Sequence, residues 1–340
     1  MSTVAPSVGG KPAQAFWKRL ILSEYLVLLL TAVYFVVMWR IIPEMAAADT
    51  LLDILSAMMP LLVVAIGQTF VLIVAGIDLS APSIIAMASV VGASVMTGDN
   101  GYAGGSGFEI AAGILAFLTV GCGIGMFNGL CATRFNMPSF IVTMTTMMFF
   151  SGAAIWYTAL HTDASSIGNL PRGFVEIGQG HIAGVPFSLA VVIIVAGVAH
   201  FVLSRTVYGS WLYAVGLNPR AAAVSGVPVR RVVFWAFVIS GICAAISSIL
   251  YTGRLETGTP VLGQRILLDV VGAAVIGGVS LFGGKGKILW TVFGVLFLSV
   301  IDKSLQLLGL PIASVFAIKG SIIMLAAIID ATRHRLLARN

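Results

Sequence analysis

The chain is predicted to be an all-α integral membrane protein of about ten transmembrane helices, with both termini cytoplasmic. Three observations carry that reading. First, 59% of the 340 residues are hydrophobic and only 9% are charged, whereas soluble domains carry about 25% charged residues; there are too few charges to cover a water-exposed surface. Second, apolar runs near the length of about 20 residues that crosses a bilayer recur near 20–42, 55–75, 83–98, 109–131, 138–158, 186–203, 232–251, 268–282, 288–308 and 312–330. The third and eighth runs are short and are read as complete spans, half-helices or re-entrant segments, with broken or short helices near 76–82 and 268–286. Third, threading these runs from the inside places Lys11, Lys18, Arg19, Arg134, Arg205, Arg220, Arg230, Arg231, Lys285, Lys287, Arg333, Arg335 and Arg339 in cytoplasmic segments, 13 of the 19 basic residues. Only Arg40, Arg172, Arg254 and Arg265 fall outside. Short cytoplasmic loops gather Lys and Arg in this way. The chain then divides into a cytoplasmic tail (1–19), a single transmembrane domain (20–330) and a cytoplasmic tail (331–340).

The same composition excludes other classes. A net charge of +6 is scattered over short loops without a basic, aromatic-rich groove, so no nucleic-acid partner is expected. Cys122, Cys131 and Cys243 lie in apolar runs and neither pair by number nor space as metal ligands. The four His are dispersed and no paired acids stand out, so no catalytic residue, metal or cofactor is expected on this chain. Residues 1–19 are polar and lack a small-residue cleavage site, which makes the first span its own insertion signal.

Taken in order, span one carries Glu24 near its cytoplasmic end, where the side chain reaches the interface. Residues 43–53, with Glu44, Asp49 and Asp53, form an external loop. Span two contains Gln68, an amide that either bonds a neighbouring helix or lines a solute path. It ends at Gly76, which can take the left-handed conformation that closes a helix. Asp78 follows two residues on, and Ser80 and Pro82 read as the cap and first turn of a new helix. Backbone broken at membrane depth must sit against protein or line a watery cavity, so Asp78 is a candidate path residue.

Residues 98–107 read as a flexible external loop. In span four, Gly121, Gly125 and Gly129 make one small-residue stripe for close helix packing, with Asn128 beside it as a third path candidate. Pro138 opens the next helix. The long external segment 159–185 is longer than an ordinary connection; it is a plain connector or, as the resemblance given below implies, a docking surface.

Segment 204–231 holds Arg205, Arg220, Arg230 and Arg231 and no acid. Within it, Asn218 caps a very short helix, Pro219 takes its first position, Arg220, Ala221 and Ala222 fill it, and Gly226 ends it. Two turns are unstable alone in water, so this helix is expected to dock. Farther on, Gly277–Lys287 is glycine-rich but lacks G-x-x-x-x-G-K-[ST]: Val279 stands where the first Gly belongs and Gly286 follows Lys285. The chain does not bind ATP by that device. Two stretches, 119–138 and 291–311, each run through a span into a Pro-opened helix after a glycine-rich break, a weak internal repeat. Finally, a hairpin turning between residues 310 and 311 brings Asp302 level with Lys319, each about 12 Å from the turn, which predicts a buried ion pair. Lys303 is the rival partner.

Gly76-Ile77-Asp78-Leu79-Ser80, the Asn128-Gly129-Leu130 and Pro138–Thr143 blocks, the Gly216–Gly226 segment, Leu268-Asp269 with the following glycines, and Lys319-Gly320 together resemble permease subunits of monosaccharide ABC importers of the ribose and xylose type. Ala81-Pro82-Ser83 replaces the usual Val-Gly-Ser, Leu267 stands where that family has Glu, and Asp302 where it more often has Asn. The resemblance implies a bacterial inner-membrane location, a second permease subunit, ATP-binding subunits that engage the 218–226 helix, and a periplasmic sugar-binding protein. An ion-coupled solute transporter working without an ATPase is the alternative, with Asp78, Asp269 and Asp302 as its available carboxylates.

Overall fold

The computed structural model describes residues 25–182 and 184–337. These form α1 (Leu26–Ile41), α2 (Ala48–Ile73), α3 (Ala81–Met96), α4 (Glu109–Arg134), α5 (Ser139–His161), α6 (Arg172–Gln179), α7 (Phe187–Arg205), α8 (Val207–Leu217), α9 (Pro219–Val224), α10 (Val229–Leu255), α11 (Leu267–Gly277), α12 (Ile288–Leu307) and α13 (Ile312–Leu337). The strand content among the described residues is one antiparallel hairpin, His181–Ile182 with Val185–Pro186. Ten helices coincide with the ten predicted apolar segments, and six of them (α2, α4, α5, α7, α10 and α12) are long and apolar enough to cross a membrane. With 11 residues, α11 is about 17 Å long, half a crossing. Glu24 and the rest of 1–24 lie outside the described residues, as does Arg339.

The core is α2 and α10. Every residue from Met58 to Ile73 is buried, and α4 lies antiparallel on α10 along the predicted glycine stripe. A Cβ on Gly121 would stand 2.4 Å from the Gly241 carbonyl, one on Gly125 2.6 Å from that of Phe237, and one on Gly129 2.9 Å from that of Phe234. The two backbones touch where side chains would otherwise hold them apart.

The helix ends sort by charge. One end of the bundle gathers the end of α2, the α4–α5 turn, residues 205–231 and the 278–287 loop; these segments carry Arg134, Arg205, Arg220, Arg230, Arg231, Lys285 and Lys287 and no acid, and α13 brings Asp330 to the same end together with Arg333 and Arg335. The opposite end carries Glu44, Asp49, Asp53, Asp99, Glu109, Asp163, Glu176 and Glu256, against four arginines, Arg40, Arg172, Arg254 and Arg265.

Several local expectations differ from what folds. Residues 43–53 are not an open loop: a 3-10 turn spans Pro43–Ala46 and α2 begins at Ala48. The 98–107 loop is pinned to the end of α3 by Tyr102 N–H donating to the Ser94 carbonyl at 3.1 Å and Ala103 N–H to that of Val95 at 2.8 Å. Segment 159–185 is built rather than slack. It contains α6, whose fully buried Phe174 stacks on Phe117 at 5.7 Å, and the Gly178 backbone rests on Gly253 and Arg254 of α10. The left-handed residue that closes α2 is Ala75 (φ +59°), not Gly76. Gly76 sits one position later, where its N–H bonds the Val71 carbonyl at 2.9 Å and a Cβ would crowd Val71 Cγ1 at 3.0 Å. The half-helix α11 closes by the same pattern, with Gly278 left-handed and Val279 N–H bonded to the Ala274 carbonyl.

Gly121→Ala should cost about 1–3 kcal/mol by overpacking, lowering the thermal midpoint of the purified protein in detergent. Gly123, two residues away and open on all sides, should tolerate Ala with no loss, or gain up to about 1 kcal/mol from helix propensity. Equal midpoints for both variants would contradict the backbone contact.

Candidate functional site

After Ala75 the chain turns back along α2 as an extended segment, so Asp78 returns to the level of Gln68. In the amide orientation that satisfies both partners, Gln68 donates to the Asp78 carbonyl at 3.0 Å and accepts from the Asp78 N–H at 3.2 Å. The side chain thereby pairs with backbone that has left its helix in the middle of the bundle. On the other side, Ser139 Oγ accepts from Ile77 N–H (3.2 Å) and Thr143 Oγ1 donates to the Ile77 carbonyl (3.1 Å).

Both oxygens of the Asp78 carboxylate are bonded as well. Oδ1 accepts from Ser80 N–H (2.9 Å) and Ser80 Oγ (2.6 Å), and Oδ2 accepts from Ser240 Oγ on α10 (2.7 Å). Ser80 Oγ in turn accepts from Asn128 Nδ2 (2.8 Å), and Asn128 Oδ1 accepts from Thr146 Oγ1 on α5 (2.7 Å). Gln68, Asp78 and Asn128, the three path candidates, therefore belong to one network, and all are at most 1% exposed. Ser80 precedes α3 as expected and Pro82 is in its first turn, but the Ser80 hydroxyl bonds Asp78 rather than capping the helix. What the network joins is the break to α2, α4, α5 and α10.

A second cluster ties α11, α12 and α13 together. Lys319 Nζ lies 2.9 Å from Asp302 Oδ2 and 2.6 Å from Asp269 Oδ2. The hairpin arithmetic brings Asp302 and Lys319 together; Asp269 escaped it because α11 is not part of that hairpin. Lys303, the rival, reaches Asp53 on α2 at 2.8 Å. Lys319 is only 5% exposed, and a buried charge of this kind is tolerated only with close partners.

At the basic end, Asn218 Oδ1 accepts from the N–H groups of Arg220 and Ala221, both at 3.0 Å, and Pro219 opens α9. Gly226 closes the segment at φ +83°. Ala222 is buried, whereas Pro219, Arg220, Ala221 and Gly226 are exposed and Val224 is 91% exposed. The preceding helix, α8, was not foreseen; its only start signal is Thr206, whose Oγ1 accepts from Gly209 N–H at 3.2 Å. α8 is what anchors α9. A Cβ on Gly216 would meet the Ile73 carbonyl at 1.8 Å and Gly284 N at 2.5 Å, and Gly284 N–H itself bonds the Ile73 carbonyl at 2.8 Å. Tyr213 Oη donates to the Gly286 carbonyl at 2.7 Å. The ends of α2 and α8 and the glycine loop thus meet at one point, five residues from Asp78.

A family model described as "Branched-chain amino acid transport system / permease component" matches residues 50–328. The chain belongs to this permease family. It is 30% identical over 288 residues to the ribose import permease of Haemophilus influenzae (85% of this chain, 87% of the relative), and 32% identical over 269 residues to that of Bacillus subtilis (78% and 80%). It is also 33% identical over 284 residues to the galactose/methyl galactoside import permease of Haemophilus influenzae (80% and 83%). No solved structure matches the chain. With its apolar helices, membership makes this permease a multi-pass protein of the bacterial inner membrane. The ion-coupled alternative is set aside by the same membership.

Lys319→Ala should lower stability by about 3–5 kcal/mol, because it leaves two carboxylates facing each other without a cation. Asp302→Ala should cost less, since Asp269 still holds the ammonium. Adding Asp269→Asn to Lys319→Ala should restore part of the folded yield measured by detergent chromatography; additive losses would deny the coupling. Asp78→Asn should fold, because the Ser240 hydroxyl can reverse from donor to acceptor. A collapse in its yield would show that the network requires the charge to assemble.

Proposed function

We propose that this permease forms the translocation path for a monosaccharide or related polyol, delivered from outside by a periplasmic binding protein and driven by ATP hydrolysis on a partner chain. Two permease subunits would enclose the path. The basic end faces the cytoplasm, in keeping with the positive-inside bias, which puts both termini there and the acidic end outside. The sugar class is supported by relatives named for ribose, galactose, fructose and L-arabinose import.

The observation that carries this reading is α9: a six-residue helix, capped and exposed, in an acid-free arginine segment. Such a helix has little stability of its own, and its exposed face suits an acidic or apolar cleft on an ATPase. Its rigid continuation through α8 to Gly216, Ile73 and Gly284 gives the partner a lever on the break. Movement of α9 would bear on the end of α2 and the extended segment that holds Asp78. ATP binding by the partner then favours one of two permease states because the docked geometry differs between them.

In proteoliposomes with the ATPase and binding protein, sugar uptake should require ATP and be indifferent to an imposed proton gradient. Arg220→Glu should abolish uptake and co-purification of the ATPase while leaving the permease folded. Normal uptake by that variant would remove α9 as the docking element.

A further inference from the structure

At the end of the bundle opposite α9, a cavity of about 220 Å³ opens between the ends of α2, α10, α11 and α12. At ~30 Å³ of liquid volume per water, that is room for about seven waters, the scale of a single small solute rather than a peptide. Its lining is unusually charged for helix ends of such apolar composition: Asp53, Arg254, Asp269, Asp302 and Lys303 all face it. The charges balance. Lys303 pairs with Asp53, and Lys319, just behind the wall, holds Asp269 and Asp302. With Arg254, three cations match three carboxylates, so the site has no net charge with which to select an ion.

Each of these ion pairs is made through carboxylate Oδ2, which leaves the three Oδ1 atoms outside the pairs as acceptors. The Arg254 guanidinium and the Gln306 amide add donors. Ile54 and Leu61 supply an apolar wall, with Tyr251 beside them. An uncharged, polyhydroxylated ring presents hydroxyls that both donate and accept, together with a C–H face, and it fits this combination of polar points on an apolar wall. We propose that this cavity is an outer subsite, contained within a single permease chain, that holds a sugar before it enters the path. The proposal rests on the sugar-importer reading above.

Ala57 lines the cavity and is exposed, as is Gln306, so either position can be changed without opening the core. Ala57→Cys and, separately, Gln306→Cys would be labelled in sealed proteoliposomes by a membrane-impermeant maleimide, with the unsubstituted chain giving the background of Cys122, Cys131 and Cys243. D-ribose, L-arabinose, D-fructose and D-galactose at millimolar concentration are the test sugars, and L-glutamate is the charged control. The expected result is labelling slowed at least about threefold by one or more sugars and unchanged by glutamate. Equal rates with all four sugars at both positions, or equal slowing by glutamate, would overturn the subsite. Uptake separates this from the broader reading. An unsubstituted complex that moves no monosaccharide or polyol with ATP refutes the sugar-importer reading, while the labelling result still decides the subsite. If the complex does transport, Ala57→Trp should reduce uptake at least about tenfold with ATP hydrolysis retained, and uptake at the unsubstituted rate would also overturn the subsite.

Discussion

The constraint on which this structure depends is that peptide groups freed from a helix inside a bilayer must find partners in the protein. The chain leaves α2 at Ala75 and does not resume a helix until Ala81. The Ala75 and Gly76 N–H groups return to carbonyls of α2, and side chains take up the next two residues: Gln68 serves both backbone groups of Asp78, while Ser139 and Thr143 serve those of Ile77. Those side chains come from α2 and α5, and the Asp78 carboxylate recruits Ser240 from α10. Satisfying one break therefore fixes how several helices sit around it, and the glycine stripe of α4 brings Asn128 close enough to complete the set.

This explains why so polar a group of residues can be fully buried. Each is matched, and removing any one would leave another unsatisfied, which in a low-dielectric interior is costly. The break is held rigidly and yet is the one place where α2 and α3 are not a continuous rod. It begins two residues from the point where α8 and the glycine loop press on Ile73, so a push at the basic end reaches it through backbone contacts rather than through flexible side chains.

Much of this was legible in the sequence because it is local or periodic. Asn218, Pro219 and Gly226 mark α9 through capping and turn chemistry alone, and Asp302 and Lys319 are brought level by counting from a turn. Gly121, Gly125 and Gly129 announce a close contact by spacing, although not with which helix. What stayed hidden depends on contacts between distant segments. Asp269 joins Lys319 across 50 residues, Ser240 reaches Asp78 across 162, and neither separation leaves a periodic trace. The left-handed residue was misplaced by one position because glycine has two uses: it can turn a chain or let atoms approach, and at Gly76 the second applies. α8 was overlooked because its apolar, aromatic composition (VYGSWLYAVGL) matches a fragment of a span rather than a helix at a bundle end.

The Lys319 triad bears on how the protein is made. α13 leaves the ribosome after α11 and α12, and until it inserts, Asp269 on α11 and Asp302 on α12 lack the ammonium that joins them. Those two helices thus carry acids without their partner in a nascent state and are matched in lipid only once α13 has followed. A chain cut short before Lys319 keeps both acids unmatched, a cost that the α12–α13 hairpin removes.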